Sequence, residues 1–168
     1  MSVARGTVVA MTSWQRFAGD QPDLAAAVRE RFDAHDYKVL GTVRRDGSPR
    51  VSGVEISFGE GELWLGGLSG SVKFVDLRRD PRFALHGGSD DPKSWRGDAK
   101  IAGIAVEVVD EPTKAAFAEA AGELPPGPFE LFRLELTEAV IVRLGEPADH
   151  LVIESWHEGR GRRRVERR

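Results

Sequence analysis

The sequence predicts a mainly β domain, a closed antiparallel Greek-key barrel of about six to eight strands with two to four helices packed outside it. Three observations carry this. Short apolar runs of period two dominate the chain, turn dipeptides such as Asp46-Gly47 separate them, and no strand-helix-strand alternation recurs. Closure follows because an open sheet of so many short strands would leave its edges bare. With 168 residues, 40% of them hydrophobic and 30% charged, the chain can bury one core of ordinary size.

Residues 1–20 stand apart as an N-terminal extension. Asp20 and Pro22 then mark a helix start, and Leu24, Val28 and Phe32 recur along one face of a helix over 22–35. From Tyr37 the period becomes two, through Val39, Gly41 and Val43, and Asp46-Gly47 turns the chain into a hairpin whose second arm covers 50–58. Gly59-Glu60-Gly61 turns it again into a strand over 63–68, so three antiparallel strands are expected side by side. Ser69-Gly70-Ser71 opens a helix that runs through Arg79 and stops at Pro81, after which 83–86 resumes the sheet and 89–98 forms a loop.

Residues 101–109 are almost unbroken in apolar character, as a central strand requires. Pro112 starts an alanine-rich helix to Ala121, and Pro125-Pro126-Gly127-Pro128 breaks the structure before a strand over 132–136. Strands over 139–144 and 151–156 complete the set. Residues 1–157 thus form one domain, and 158–168, with six arginines and two glutamates, read as a flexible basic tail.

Composition removes whole classes of chemistry. The absence of cysteine excludes disulfides, thiolate zinc sites, iron-sulfur clusters and a cysteine nucleophile. A net charge of -3 excludes a uniformly basic, nucleic-acid-wrapping surface. The longest apolar runs are too short to cross a bilayer, and the run at 8–11 is no signal-peptide core, so no membrane partner is expected and the cytoplasm is the expected location. His35, His86, His150 and His157 lack ligand spacing, and no metal is expected. Trp95, in the polar loop beside Lys93 and Arg96, is a candidate lid or dimer contact.

The segment 50–73 is the one that suggests a site. Arg50, Ser52 and Val54 share a strand face, while Gly66-Gly67 leaves the next strand without side chains, so a flat ligand could approach the backbone. Ser71 and Lys73 then lie in the first turn of a helix, where free N–H groups and the dipole favour an anion. From the residues alone the glycines can equally form a bulge, Ser71 a helix cap and Lys73 a solvated charge.

The hairpin sequence from Gly41 to Val51 and the run from Gly70 to Arg82 resemble the two cofactor segments of the pyridoxamine 5'-phosphate oxidase-like superfamily, flavin and deazaflavin oxidoreductases built on a split barrel. The resemblance is densest over 41–85 and extends more loosely over about 20–157. It implies that Arg50, Val51 and Ser52 line the ring and ribityl chain of the cofactor, that Leu65, Gly66 and Gly67 meet the ring through backbone, and that Ser71 and Lys73 hold the phosphate. It also implies a homodimer with the cofactor in the subunit cleft.

Two departures argue against pyridoxamine phosphate as substrate. Glu55 stands where those oxidases have a basic residue, and their C-terminal Arg-Leu-x-Pro element has no equivalent. What the resemblance implies is hydride transfer from FMN, or alternatively from 8-hydroxy-5-deazaflavin, to a small-molecule substrate. The cofactor carries the hydride in such chemistry and no side chain is expected as catalytic acid or base. Two other readings stand beside it: a non-catalytic flavin or haem carrier or sensor, and, least favoured, nucleic-acid binding through the arginine tail.

Overall fold

The structure, a computed structural model, describes residues 11–122 and 127–168. The elements in order are α1 (Trp14–Asp20), α2 (Pro22–Asp33), β1 (Lys38–Val43), β2 (Pro49–Val54), β3 (Ser57–Gly59), β4 (Glu62–Leu68) and α3 (Val72–Arg79). They continue with β5 (Arg82–His86), β6 (Asp98–Glu107), α4 (Glu111–Ala121), β7 (Phe129–Leu144), β8 (Leu151–His157) and β9 (Gly161–Arg167). All strand pairs are antiparallel, in the order β2-β1-β5-β6-β7-β4-β3, with β8 and β9 continuing from β7. The mainly β fold with peripheral helices is the one the sequence predicts.

One ribbon supplies both ends of that path. β2 pairs with β1 and β3 pairs with β4, and the two strands are joined only by Glu55-Ile56. The three strands expected side by side are therefore split: the arm expected over 50–58 pairs with β1 through β2 and with β4 through β3, and β2 and β3, not β2 and β4, are the two ends of the hydrogen-bonded order. The chain turns a corner after Val54, which is buried, and the second arm crosses to the other edge instead of continuing along β1.

The inward residues alternate along each strand as period two demands: Leu63 and Leu65 on β4, Phe83 and Leu85 on β5, Phe132, Leu134 and Leu136 on β7. Phe17 of α1, Leu24, Val28 and Phe32 of α2, and Phe74 and Leu77 of α3 close over them. Within the expected N-terminal extension Trp14–Asp20 form helix α1, because Ser13 caps it, accepting from Arg16 N–H, and Trp14 and Phe17 bury against the barrel.

Two expected strands, 132–136 and 139–144, are one strand, β7. Leu136 pairs with Gly103 and Glu138 with Ala102, so Thr137 is an extra residue at a bulge. The bulge flips the phase, moving the inward set from even positions to Ala139 and Ile141. In the sequence this looks like two strands.

The expectation of a flexible tail is overturned. Residues 161–167 form β9, paired with β8 from Arg167↔Leu151 to Gly161↔His157. Gly159 and Gly161, at φ 73° and 76°, make the tight return possible. Glu154, buried on β8, accepts from Arg162 at 2.6 Å and pairs with Arg143 at 2.5 Å, so the arginine run is anchored by an acid at its centre. The expected break at Pro125-Pro126 and residues 1–10 lie outside the described residues. Among the described residues no helix is long and apolar enough to cross a membrane.

Candidate functional site

Helix α3 starts beside the end of β4, and its first turn is open. Ser71 occupies the N-cap position with extended backbone, but its Oγ donates to the Leu68 carbonyl at 2.7 Å and does not cap the helix. The first N–H groups of α3 are therefore left without a side-chain acceptor from Ser71. Just upstream, Glu130 of β7 accepts from Ser69 Oγ and Gly70 N–H, each at 3.3 Å, and pairs with Arg78 at 3.0 Å. An internal carboxylate thus holds the Ser69-Gly70 loop, and its Oε2 is buried with no hydrogen-bond partner among the described residues.

Lys73 is half-buried, with Nζ 4.7 Å from the centroid of the Phe74 ring. It forms no ion pair among the described residues. Burial pushes its ammonium below the ordinary lysine value, and the charge of Glu130 only partly offsets this. A half-buried ammonium without an ion-pair partner is a candidate counter-charge for an anionic group.

Lys73 lines a cavity of about 380 Å³, together with Gly66 and Gly67 of β4, Gly53 and Glu55 at the β2 corner, and Phe117 of α4. Tyr37 and Phe129 also line it. The glycines are not a bare ledge. A Cβ on Gly67 would stand 3.1 Å from the Phe74 ring, and one on Gly66 would stand 3.5 Å from Phe117. Gly67 therefore lets Phe74 seat against the strand, where it stacks on Phe132 at 5.1 Å, while Gly66 simply lies in contact range of Phe117.

Arg50 joins β2 to the same helix one turn further on. Its Nε donates to Asp76 Oδ2 at 2.6 Å, and Asp76 also accepts from Thr42 at 3.1 Å and pairs with Arg79 at 3.3 Å. Burial alone would raise the Asp76 carboxyl. The hydrogen bonds from Arg50 and Thr42, with the charge of Arg50, outweigh it and hold the group below the ordinary aspartate value.

The structure brings Gly66, Gly67 and Lys73 together at one cavity. Arg50, Val51, Ser52, Leu65 and Ser71 do not line it. Leu65 is wholly buried in the core, and Val51 is 71% exposed on the outer sheet face. Ser71 sits at the helix start two residues from Lys73. Sequence reasoning missed Tyr37, Gly53, Phe117 and Phe129. The signal for Phe117 was present, since it is the one large apolar side chain in the α4 sequence. Neither His86, which accepts from Gly88 N–H, nor Trp95, which donates to Asp98 at 3.0 Å, lines this cavity.

Residues 24–143, well over half of the chain, match the family profile described as pyridoxamine 5'-phosphate oxidase. The chain belongs to that family. No curated protein matches it. Among solved structures it resembles a pyridoxamine 5'-phosphate oxidase-related, FMN-binding protein from Nostoc punctiforme, with 16% identity, TM-score 0.61, 92% of this chain and 99% of that one covered. PhzG from Burkholderia lata, solved with tetrahydrophenazine-1-carboxylic acid, aligns at 17% identity and TM-score 0.57 over 87% of this chain and 88% of its own. HutZ, the haem storage protein of Vibrio cholerae, aligns at 18% and 0.52 over 70% and 89%. At these identities the likeness is one of fold. The pyridoxamine 5'-phosphate oxidase family supplies the split-barrel architecture that the sequence and the strand order both indicate.

Proposed function

We propose that this chain is an FMN-dependent oxidoreductase of the pyridoxamine 5'-phosphate oxidase family, acting on a small-molecule substrate other than pyridoxamine phosphate. The observation that carries the reading is the Lys73 ammonium, half-buried and without an ion-pair partner among the described residues, beside a cavity floored by Gly66 and Gly67 and walled by Phe117. The residues fit the group. Lys73 and the open first turn of α3 suit a phosphate, and the glycine backbone with Phe117 and Phe129 suits a flat ring. Bound FMN would supply the hydride, and the chain's own residues position it and keep water from it. Glu55 on the cavity wall opposes a second phosphate there.

8-Hydroxy-5-deazaflavin is the alternative cofactor, since it offers Lys73 the same phosphate. Haem is less favoured because no histidine is among the cavity's lining residues. Nucleic-acid binding through the tail is less favoured, because β9 is paired to β8 and two of its arginines are engaged, Arg162 by Glu154 and Arg164 by Glu166.

The reading includes a homodimer. On the outer sheet face Gly53, Val39, His86 and Lys100 fall in one row across β2, β1, β5 and β6, and Val51, Gly41, Ala84 and Ala102 in the next. Val51 and Val39 are exposed there, and Gly53 also lines the cavity, so a second copy on this face would border the site. Titration of the purified protein with FMN and with 8-hydroxy-5-deazaflavin tests the reading. Saturable quenching of FMN fluorescence, followed by reoxidation of the reduced complex by an acceptor, supports it. Binding of neither cofactor overturns it, and binding without reoxidation by any acceptor supports a carrier instead.

A further inference from the structure

A second cavity, about 310 Å³, lies between α4 and the β3–β4 edge, lined by Ser57, Gly59, Trp64, Thr113, Phe117 and Ala120 among others. Helix α4 buries none of its residues. The face it turns to the sheet carries Thr113, Ala116 and Ala120 at helical spacing, all too small to reach across, and only Phe117 does. The helix therefore covers this space without filling it.

The opposite wall is rigid. Trp64 is 8% exposed, its Nε1 donates to the Gly59 carbonyl at 3.1 Å, and its ring lies 6.1 Å from that of Phe117 at 57°. The hydroxyls of Ser57 and Thr113 line the space, Thr113 also being held to Asp110 at the start of α4. Among the described residues Glu60 brings the one formal charge to the lining, and no cation lines it. The neighbouring cavity differs in setting a cation, Lys73, beside its own carboxylate, Glu55. The two cavities share Ser57, Phe117 and Ala121, with Phe117 as the partition.

We infer that the cavity under α4 binds a planar, uncharged aromatic molecule of about two fused rings, at a site separate from the cofactor cavity of the oxidoreductase proposed above. Charge selects the class: an anion entering here meets Glu60 and no counter-ion. Size selects the ring count, because the space lies at the small end of about 300–1,000 Å³ for ligand pockets. The Ser57 hydroxyl suits one carbonyl or hydroxyl on the ring.

The test uses 1-naphthol as probe and 1-naphthalenesulfonate as its anionic counterpart, read by isothermal titration calorimetry on the full chain, with FMN titrated in parallel. Saturable binding of 1-naphthol, at least tenfold tighter than the sulfonate, is expected. Ala120→Phe, at an exposed position on α4, is expected to weaken 1-naphthol at least tenfold and to leave FMN affinity within twofold. Ala116→Leu on the same face gives a second variant expected to act in the same direction. No saturable heat, equal binding of the sulfonate, or unchanged 1-naphthol affinity in both variants overturns the assignment. If FMN fails to bind while 1-naphthol behaves as expected, the oxidoreductase reading falls and the aromatic site stands.

Discussion

Arg50 and Asp76 form a half-buried pair at 2.6 Å that ties β2 to α3, and Asp76 itself is 3% exposed. Removing the arginine leaves the carboxylate with Thr42 and Arg79 only. Arg50→Ala is expected to cost about 1.5–3 kcal/mol, the range for a hydrogen bond to a charged group. By circular dichroism that is a fall in Tm of roughly 3–12 °C for a chain of this size.

The same pair sets an acid limit. Asp76 has a lower pKa folded than unfolded, so its stabilisation is complete above the ordinary value of 3.8 and is lost as pH falls below it. The Tm difference between the native protein and Asp76→Asn is expected to be largest near neutrality and to shrink below about pH 4. A difference constant from pH 7 to pH 3 would show that the charge contributes nothing.

Lys73→Ala separates binding from folding. Loss of a charge-assisted contact to phosphate is expected to weaken FMN by about 1.5–3 kcal/mol, or roughly 10- to 150-fold, with Tm unchanged. Fluorescence titration reads the first and a thermal melt the second. Unaltered affinity removes Lys73 from the site.

Gly103 sits at the bulge opposite Leu136, and a Cβ there would overlap the Glu135 carbonyl oxygen. The backbone of β7 would have to move. Gly103→Ala is expected to cost about 3–5 kcal/mol, among the larger single-residue effects, lowering Tm by roughly 6–20 °C. Gly53→Ala, where an added Cβ meets nothing within 4 Å, is the control expected to melt within about 2 °C of the native protein.

Truncation after His157 tests whether β9 belongs to the fold. It strips Arg162 from the buried Glu154 and uncovers the edge of β8. A loss of about 2–4 kcal/mol is expected, from the broken pair and the ladder hydrogen bonds, with concentration-dependent association on sedimentation from the exposed edge. A tail without structure would give neither.

Much of the barrel was legible because its inward residues follow period two over short stretches, as in Leu63-Leu65 and Phe83-Leu85. Helix α3 was legible to within a residue from Ser71 and Pro81. The sequence misled where local pattern and long-range pairing diverge. Thr137 shifts the phase of β7 at a bulge that only the partner strand defines, and β9 has no apolar alternation because its partner offers Glu154. At the site, Lys73 and the glycines carry their own local signals. Phe117 and Glu55 reach the same space from a distant helix and from a corner, and no periodicity within a strand reports that.

Because a single ribbon borders both margins of the sheet, the Glu55-Ile56 corner is the covalent seam between them. Gly53, Val54, Glu55 and Ser57 at that seam are also walls of the Lys73 cavity. An occupant gripped there acts as a clasp, so whatever tightens its hold slows the parting of the margins, and proteolysis at the corner should be the first event that occupancy suppresses.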